Sequence, residues 1–498
     1  MKNNNFYVDL HSHITLFPYN LGKENKDGML YSKNPLIRED LAPNYTQTDI
    51  PKMVHGGVRI VFAALYPIEK GFMRIRGSEK EIADDVIHLM TNFPDERIKE
   101  IQSDSHSYFH DLELEYNFLS KQQDTDLIIN NHGDSCRYKI VSDFADLKDF
   151  LNLDNAYAIN ESETRIAIVL TIEGAHAFLP NSTEEIRDIN VEDLRDEKTI
   201  SLLNSIKQNI AWAKSKKIFA VTFDHHFYNY LSGQSISFTK MIDTLLQQEE
   251  KSRNGFTALG VEVLKELMSS ENGQRPIIID VKHLSVIARK WFYEQGFTQG
   301  IPVIASHTAV NGYKTMNESI EENETHNDAQ SKYDRSIDYN NWDLNLSDEE
   351  IVIIARRKGL IGISVDQRVV MGKKRLDDIK GSIGLDLFPT KVKDKKWSYP
   401  IFDTIIHIAT VLLANECKQE EIWDNIAIGS DFDGLINPIN AYRTVEEYPK
   451  LQENLLLWFN ESRTTIPVLK GLNDEQLNEI VLKIMNKNCL HFLEQHFI

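Results

Sequence analysis

Eight near-continuous apolar runs recur along the chain, and each is followed by a stretch of helical periodicity. They are "NFYVDLH" (5–11), "VRIVFAALYP" (58–67), "RIAIVLTIEG" (165–174), "KIFAVTFDHH" (217–226), "RPIIIDVKH" (275–283), "IPVIASH" (301–307), "GLIGISVD" (359–366) and "NIAIGSDFDG" (425–434). Runs rich in Val, Ile and Leu without strict alternation are what parallel strands buried on both faces require. Between them, helix ends are legible. "LSDEEIVIIARRKG" opens with Ser347 as N-cap and Glu350 three residues on, a capping box, and closes at Gly359. Asn473 caps "DEQLNEIVLKIM", whose Leu477, Ile480, Val481 and Ile484 make one apolar stripe. Repeated strand–helix units with right-handed crossovers predict an α/β fold, a closed (β/α)8 TIM barrel, with an open doubly wound sheet as the alternative.

The 498 residues would allow two or three domains by length, yet barrels of this kind often run long as one unit. Spans at about 14–48, 72–160, 308–340 and 370–400 are rich in Asp, Asn, Lys and Ser, without an apolar pattern dense enough for a core of their own. They read as loop insertions on a single barrel domain covering 1–498. The span 72–160, with helical pieces such as "EKEIADDVIHLMTNF", is long enough for a small lid. A composition of 41% hydrophobic and 26% charged residues suits a globular protein with a large core. Lys and Arg number 55 against 75 Asp and Glu, a net charge of −20, which argues against a nucleic-acid partner because phosphate binding relies on clustered cations. Cys136, Cys417 and Cys489 lie far apart without CxxC spacing, so neither a disulfide framework nor a thiolate zinc site is expected. The N-terminus enters a strand without a signal-like apolar stretch, and "CLHFLEQHFI" at the other end is no membrane anchor. A cytoplasmic protein with no membrane partner is expected, and a homodimer is compatible with the sequence.

In barrels of this class chemistry sits at the C-terminal ends of the strands. The ends of these runs are dense in candidate ligands: His11 and His13, Glu173, Asp224 with His225 and His226, His283, His307, Asp366, and Asp431 with Asp433. The "HSH" pair is weak alone, since 16 His in 498 residues produce roughly half an HxH by chance. Jointly, the strand ends carry more weight. Imidazoles and carboxylates without thiolates suit a hydrolytic zinc centre, and the ligand count is enough for two ions with a position open for water. Glu173 is assigned to bridge the ions, and Asp431 to shuttle protons from a water acidified by both. His225 and His226 are adjacent, so in an extended chain at most one of them faces the centre. Asp431 and Asp433 also have a plainer reading as a turn with Gly434. His176, three residues past Glu173, reads as a supporting or structural residue.

Taken together, "VDLHSH", "DIPKMVHGGVRIVFAALYP" (49–67), "LTIEGAHAF" (170–178), "FAVTFDHH" (219–226), "GFTALGVEVLKEL" (255–267), "IIDVKHLS" (278–285), "PVIASHTA" (302–309), "LNLSDEEI" (344–351) and "IAIGSDFDGL" (426–435) resemble the renal or membrane dipeptidase family, zinc peptidases of the amidohydrolase superfamily. The resemblance implies the same barrel and two zinc ions per chain. It implies that His11, His13 and Asp431 hold one ion, that His283 and His307 hold the other, and that Glu173 bridges both. His225 matches the family histidine that stabilises the oxyanion, and Asp431 its proton carrier.

Three positions depart from the family pattern. His13 stands where the family has aspartate. Leu344 stands where its carboxylate-reading arginine is expected, leaving Arg335 or Arg368 as substitutes. Asp366 replaces a substrate-contacting tyrosine, and the insertions make the chain longer than is usual for the family. The expectation is a dinuclear zinc hydrolase that cleaves the amide bond of dipeptides by attack of a metal-bridging hydroxide, with Asp431, His225 and Glu173 as catalytic residues. Another small amide, an N-acyl amino acid or a lactone is the alternative substrate, and a non-catalytic metal- or ligand-binding barrel is the alternative from another class.

Overall fold

The computed structural model describes residues 2–3, 6–33, 45–74, 87, 91–129, 135–160, 163–180, 186–238, 242–243, 246, 248, 251–270, 273–322, 333–383 and 391–498. Each apolar run contributes one strand: β1 Tyr7–Ser12, β2 Val58–Leu65, β3 Thr164–Glu173, β4 Ala220–Thr222, β5 Ile278–Asp280, β6 Ile304–Thr308, β7 Leu360–Ile363 and β8 Ile426–Ile428. They pair in chain order, β1 with β2 through to β7 with β8, and every pair is parallel. Just past the strand ends β8 meets β1. Asp431 N donates to the His11 carbonyl and His13 N to the Phe432 carbonyl, both at 2.9 Å, around a parallel bridge between Ser12 and Phe432. The sheet is thus a nearly closed (β/α)8 barrel and not an open doubly wound sheet.

Alternation along the strands sorts their side chains into two layers. Val8, Leu10, Ile60, Phe62, Ile278 and Ile304 belong to the lumen cluster, whereas Tyr7, Val61, Ala63, Ile279, Ala305 and Ile361 belong to the layer beneath the helices. The C-terminal helix Asn488–His496 plugs the N-terminal mouth. Its Leu490, Phe492 and Leu493, with Phe497 just beyond, join the lumen cluster, and Phe219 sets its ring 5.9 Å from Phe492 and 5.1 Å from Phe497. Truncating Phe492 to Ala there costs about 3–5 kcal/mol in lost burial and cavity formation. The opposite mouth is left for chemistry.

Outside the barrel, the predicted capping box of Ser347 and Glu350 opens helix Asp348–Arg356, and Asn473 caps Asp474–Leu482. Buried Arg289 ties helix Val286–Glu294 to the start of helix Asp348–Arg356. Its Nε lies 2.5 Å from Glu350 Oε1, and its Nη atoms donate to the carbonyls of Leu284 and Asp343 at 2.7 and 2.8 Å.

Two of the spans read as insertions are more regular than their composition suggested. Part of the described 72–160 is built into the barrel wall, and part forms a separate apolar cluster in which Met73, Ile87, Phe93, Ile98 and Ile101 pack with Leu16, Phe17, Tyr66 and Ile68, just past the ends of β1 and β2. Strand Ser135–Ile140 lies parallel to the first half of β3, from Cys136 opposite Thr164 to Ile140 opposite Ile168, because β4 pairs only with residues 171–173 of β3 and leaves that edge free. Tyr108, Leu112, Leu119 and Tyr138 of this span join the main apolar cluster. Most of "EKEIADDVIHLMTNF" lies outside the described residues. Likewise, helices Lys373–Ile383 and Lys391–Ala414 occupy most of 370–400. The second is long and apolar enough over Asp394–Ala414 to cross a membrane, yet 67% of that window is buried inside the fold.

Candidate active site

Regular alternation would turn His11 away from the lumen, because Val8 and Leu10 already face inward. A β-bulge prevents this. Asp9 pairs with Val61 and Ser12 with Ala63, so three steps on β1 oppose two on β2. Leu10 and His11 consequently both line a cavity of about 10 Å³, shared with Phe62, Thr171, Thr222, Asp280 and Ser306. Strand β6 repeats the device. Its register shifts between Ala305 and Thr308, so Ser306 faces the same cavity while His307 brings its ring within 4.1 Å of the His11 ring. The displaced Ser306 carbonyl leaves no space for side chains beside it: a Cβ on Gly362 or on Gly429 would stand 1.8 Å from its oxygen.

Glu173, the last residue of β3, sits at the centre of the imidazoles. Its Oε1 lies 3.4 Å from His11 Nε2, 3.6 Å from His283 Nε2 and 3.5 Å from His307 Nε2. Its Oε2 lies 2.9 Å from His13 Nε2 and 3.4 Å from His225 Nε2. Asp431 reaches in from β8, Oδ1 3.5 Å from His13 Nε2 and Oδ2 3.9 Å from His307 Nε2. The Nε2 atoms of His11 and His13 are 3.3 Å apart, and those of His283 and His307 3.2 Å. His283 and Asp431 both hold the left-handed backbone conformation, with φ of 66° and 63°, a strain that non-glycine residues carry mainly at functional sites.

The residues present fit divalent cations. Buried Glu173 Oε1 has no hydrogen bond of good geometry, although three imidazole nitrogens surround it. His11, His13 and Asp431 keep their donor atoms within 4.8 Å of one another, as do His11, Glu173 and His307. Burial drives His283 and His307 well below the usual histidine pKa, and the neutral imidazole is the form that ligates metal. Burial also opposes charge on His13, but Glu173 and Asp431 outweigh it and push that group up to about 10. Positive charge is wanted there, and a bound metal ion would supply it. Glu173 itself is raised by burial but held well below the usual carboxylate range by His225, His11 and His13.

Around this cluster the structure adds groups that the sequence reading passed over. Glu69, past the end of β2, approaches His225 Nδ1 through Oε2 at 2.7 Å; the carboxylate in "LYPIEK" was the available signal. Asp9 clamps β1 to the β8 loop, accepting from Ser430 N at 2.9 Å and Ser430 Oγ at 2.5 Å, and burial pushes it up to about 6. Lys282 stands buried in the turn after β5, beside His283; the cation next to the histidine in "IIDVKH" was the available signal. His226 corrects an expectation. The chain after β4 is a loop and not an extended strand, so His225 and His226 both flank the centre, with rings 4.7 and 4.9 Å from His283. His226 Nδ1 also lies 2.5 Å from the Ser237 hydroxyl, and its ring stacks on Phe238.

The remaining expected residues are placed less centrally. Asp366 grips Arg368 through both oxygens, with Nη2–Oδ2 at 2.6 Å, at the end of β7. Arg335 lies over the Tyr313 ring and donates to the Ser336 and Tyr339 carbonyls at 3.1 and 3.3 Å; among the described residues no contact joins it to the imidazole cluster. Asp224 takes the Ser232 hydroxyl at 2.6 Å. Asp433 accepts Gln47 N and Thr48 N at 2.6 and 3.1 Å and so docks the end of the first insertion. His176 donates to the Pro67 carbonyl at 2.7 Å.

Fold and site together define a (β/α)8 barrel with a buried imidazole–carboxylate cluster at its C-terminal mouth. No protein-family model and no curated protein matches the sequence. Solved structures do match in fold. One is the dipeptidase AC, a metallopeptidase, with 13% identity and a TM-score of 0.53 over 99% of each chain. A second is a metallopeptidase from Rhodobacter sphaeroides liganded with a phosphinate mimic of the dipeptide L-Ala-D-Ala, with 14% identity and a TM-score of 0.52 over 99% of this chain and 100% of that one. A third is the probable dipeptidase PvdM from Pseudomonas aeruginosa, with 14% identity and a TM-score of 0.50 over 98% and 94%. Identity this low shows a shared fold.

Proposed function

We propose that this chain is a metal-dependent hydrolase of small amides, using two zinc ions and acting on dipeptides. The observation that carries the reading is Glu173, one carboxylate whose two oxygens face imidazoles from opposite sides of the barrel mouth, at 2.9 Å from His13 and 3.5 Å from His307. That is the arrangement a bridging ligand needs. His11, His13 and Asp431 would hold one ion, His283 and His307 the other, with Glu173 common to both. When bound, such a pair of ions brings a shared water towards ionisation near neutral pH and polarises a carbonyl.

The protein's own groups supply the rest. The Asp431 side chain, 15% exposed, is the carboxylate in the cluster most open to the mouth, placed to take a proton from the attacking water and return it to the leaving amine. His225 directs Nε2 to the centre and is steadied by Glu69, so it is placed to donate to the carbonyl oxygen as negative charge develops there. The neighbours in fold act on or bind dipeptides, which favours that substrate class.

A second reading changes only the substrate, to an N-acyl amino acid, another small amide or a lactone. It is favoured by the engagement of Arg368 with both oxygens of Asp366, which already meets the charge of that guanidinium. Zinc-loaded protein assayed against dipeptides, N-acyl amino acids and lactones, with metal content measured alongside, separates the readings. Dipeptide turnover at two ions per chain is expected; two bound ions with no turnover of any substrate would overturn the hydrolase assignment.

A further inference from the structure

Lys282 stands in the turn just past β5, next to His283 of the imidazole cluster. Strand β5 ends at Asp280, which lines the central cavity, and Lys282 follows two residues on, at the same end of the barrel as the imidazole cluster. It is 3% exposed, and its Nζ has no hydrogen-bond partner among the described residues. Lys52 shows what a buried structural lysine looks like in this chain: its Nζ has Asp49 Oδ2 at 2.7 Å, Ser32 Oγ at 2.8 Å and Thr46 Oγ1 at 2.9 Å.

The carboxylates that act on Lys282 are Asp431, Asp280, Asp366 and Glu173, at or just past the ends of β8, β5, β7 and β3. All four have other partners. Arg368 takes Asp366. Asp280 accepts from Thr222 Oγ1 at 2.8 Å, Ser306 N at 3.1 Å and the Lys282 backbone N at 3.1 Å. Glu173 and Asp431 are the ion-holding carboxylates of the proposed reading, so their charge goes to the ions. A buried ammonium without a counter-charge is costly, and a fold that retains one in a functional cleft has use for an incoming anion.

The geometry points to Lys282 as the group that reads a carboxylate on the substrate, so that the site takes small amides bearing a free carboxylate beside the scissile bond. Lactones and neutral amides lack the anion that this ammonium requires. The inference rests on the hydrolase reading for the word substrate, and it replaces the arginines as the carboxylate contact.

Calorimetric titration of the zinc-loaded full-length chain with N-acetylalanine and with its carboxamide tests it, with zinc content and thermal unfolding recorded for each variant. In Lys282→Met, loss of a charge-assisted contact weakens binding of the acid about 10- to 100-fold and removes the preference for acid over amide. Lys282→Gln reads the same quantity if the Met variant misfolds, and Lys282→Arg retains the preference. The turnover ratio of a dipeptide to its C-terminal amide falls in parallel. Acid affinity unchanged in the Met and Gln variants at two ions per chain overturns the inference; equal weakening of acid and amide does so too, and marks a structural counter-charge. Acid binding that depends on Lys282 without turnover of any amide supports the inference and overturns the hydrolase reading, whereas turnover insensitive to Lys282 does the reverse.

Discussion

Glu69 Oε2 lies 2.7 Å from His225 Nδ1, and the other ring nitrogen of that histidine points at Glu173 from 3.4 Å. A carboxylate at Nδ1 orients the ring and keeps Nε2 directed at the centre. Glu69 is itself fixed, accepting the Tyr66 hydroxyl and Phe227 N at 3.0 Å each. Burial raises its pKa, but His225 outweighs burial and holds the carboxyl below its usual range. Glu69→Gln keeps the shape and removes the charge, so kcat falls about 10- to 100-fold while both ions stay bound. Steady-state kinetics with metal analysis checks this, and an unchanged kcat would remove His225 from the chemistry.

Asp431→Asn and Glu173→Gln test the two carboxylates assigned to the ions, of which Asp431 is also the assigned proton carrier. Asp431→Asn lowers kcat by about 10²- to 10⁴-fold, the range for loss of a positioned proton carrier. Both changes weaken zinc binding, and Glu173→Gln, which removes the ligand common to both ions, lowers the zinc count below two per chain. Circular dichroism is unchanged in both, because the barrel layers do not depend on either carboxylate. Full activity in a metal-loaded variant would refute the assigned role.

Removing the metal affects stability as well as turnover. Ions that bind only the folded chain stabilise it by about 2.7 kcal/mol at 100-fold excess over Kd. Chelation is therefore expected to abolish turnover and lower Tm, and added zinc restores both. A Tm indifferent to chelator in differential scanning calorimetry would argue that the imidazole cluster holds no ion.

Gly362→Ala tests the bulge that aims His307. Its Cβ would collide with the Ser306 carbonyl, and relieving such overpacking costs about 1–3 kcal/mol. The shift displaces His307 away from His283, so Tm falls and one of the two ions is lost. A stable variant that keeps both ions would show the bulge to be incidental.

Glu115 makes stability depend on pH in a definite direction. Burial raises its carboxyl to about 7 in the folded chain, against Thr15 Oγ1 and Tyr66 N, which donate to it at 2.5 and 2.8 Å. Between an unfolded value of 4.5 and a folded value of about 7, the native state holds a proton that the unfolded chain has lost. This group's contribution is therefore greatest below the unfolded value, declines as pH rises through the window and is flat above it, up to about 3 kcal/mol in all. Glu115→Gln removes that slope. Urea unfolding at about pH 5 and about pH 7.5 should show the variant gaining on the wild type as pH rises.

Strand positions were legible because burial on both faces demands apolar residues at successive positions, a purely local signature, and all eight runs became strands. The capping box at Ser347 and the N-cap at Asn473 were local for the same reason. Strand Ser135–Ile140 was not, since "SCRYKI", in which only Cys136 and Tyr138 are buried, carries no apolar run and gains its place from the free edge of β3. His226 was misjudged because alternation was applied to a loop. Arg368 was read as an open guanidinium, because nothing in "VDQRVV" shows that Asp366 turns back to hold it.

The order of residue types along the chain determined which strands form and set His11, His13, Glu173, His283, His307 and Asp431 at or just past their ends. Tertiary structure alone decided where those side chains point. The direction of a strand residue depends on its register against a neighbour, and the register shifts between Asp9 and Ser12 and between Ala305 and Thr308 arise from pairing with residues more than fifty positions away.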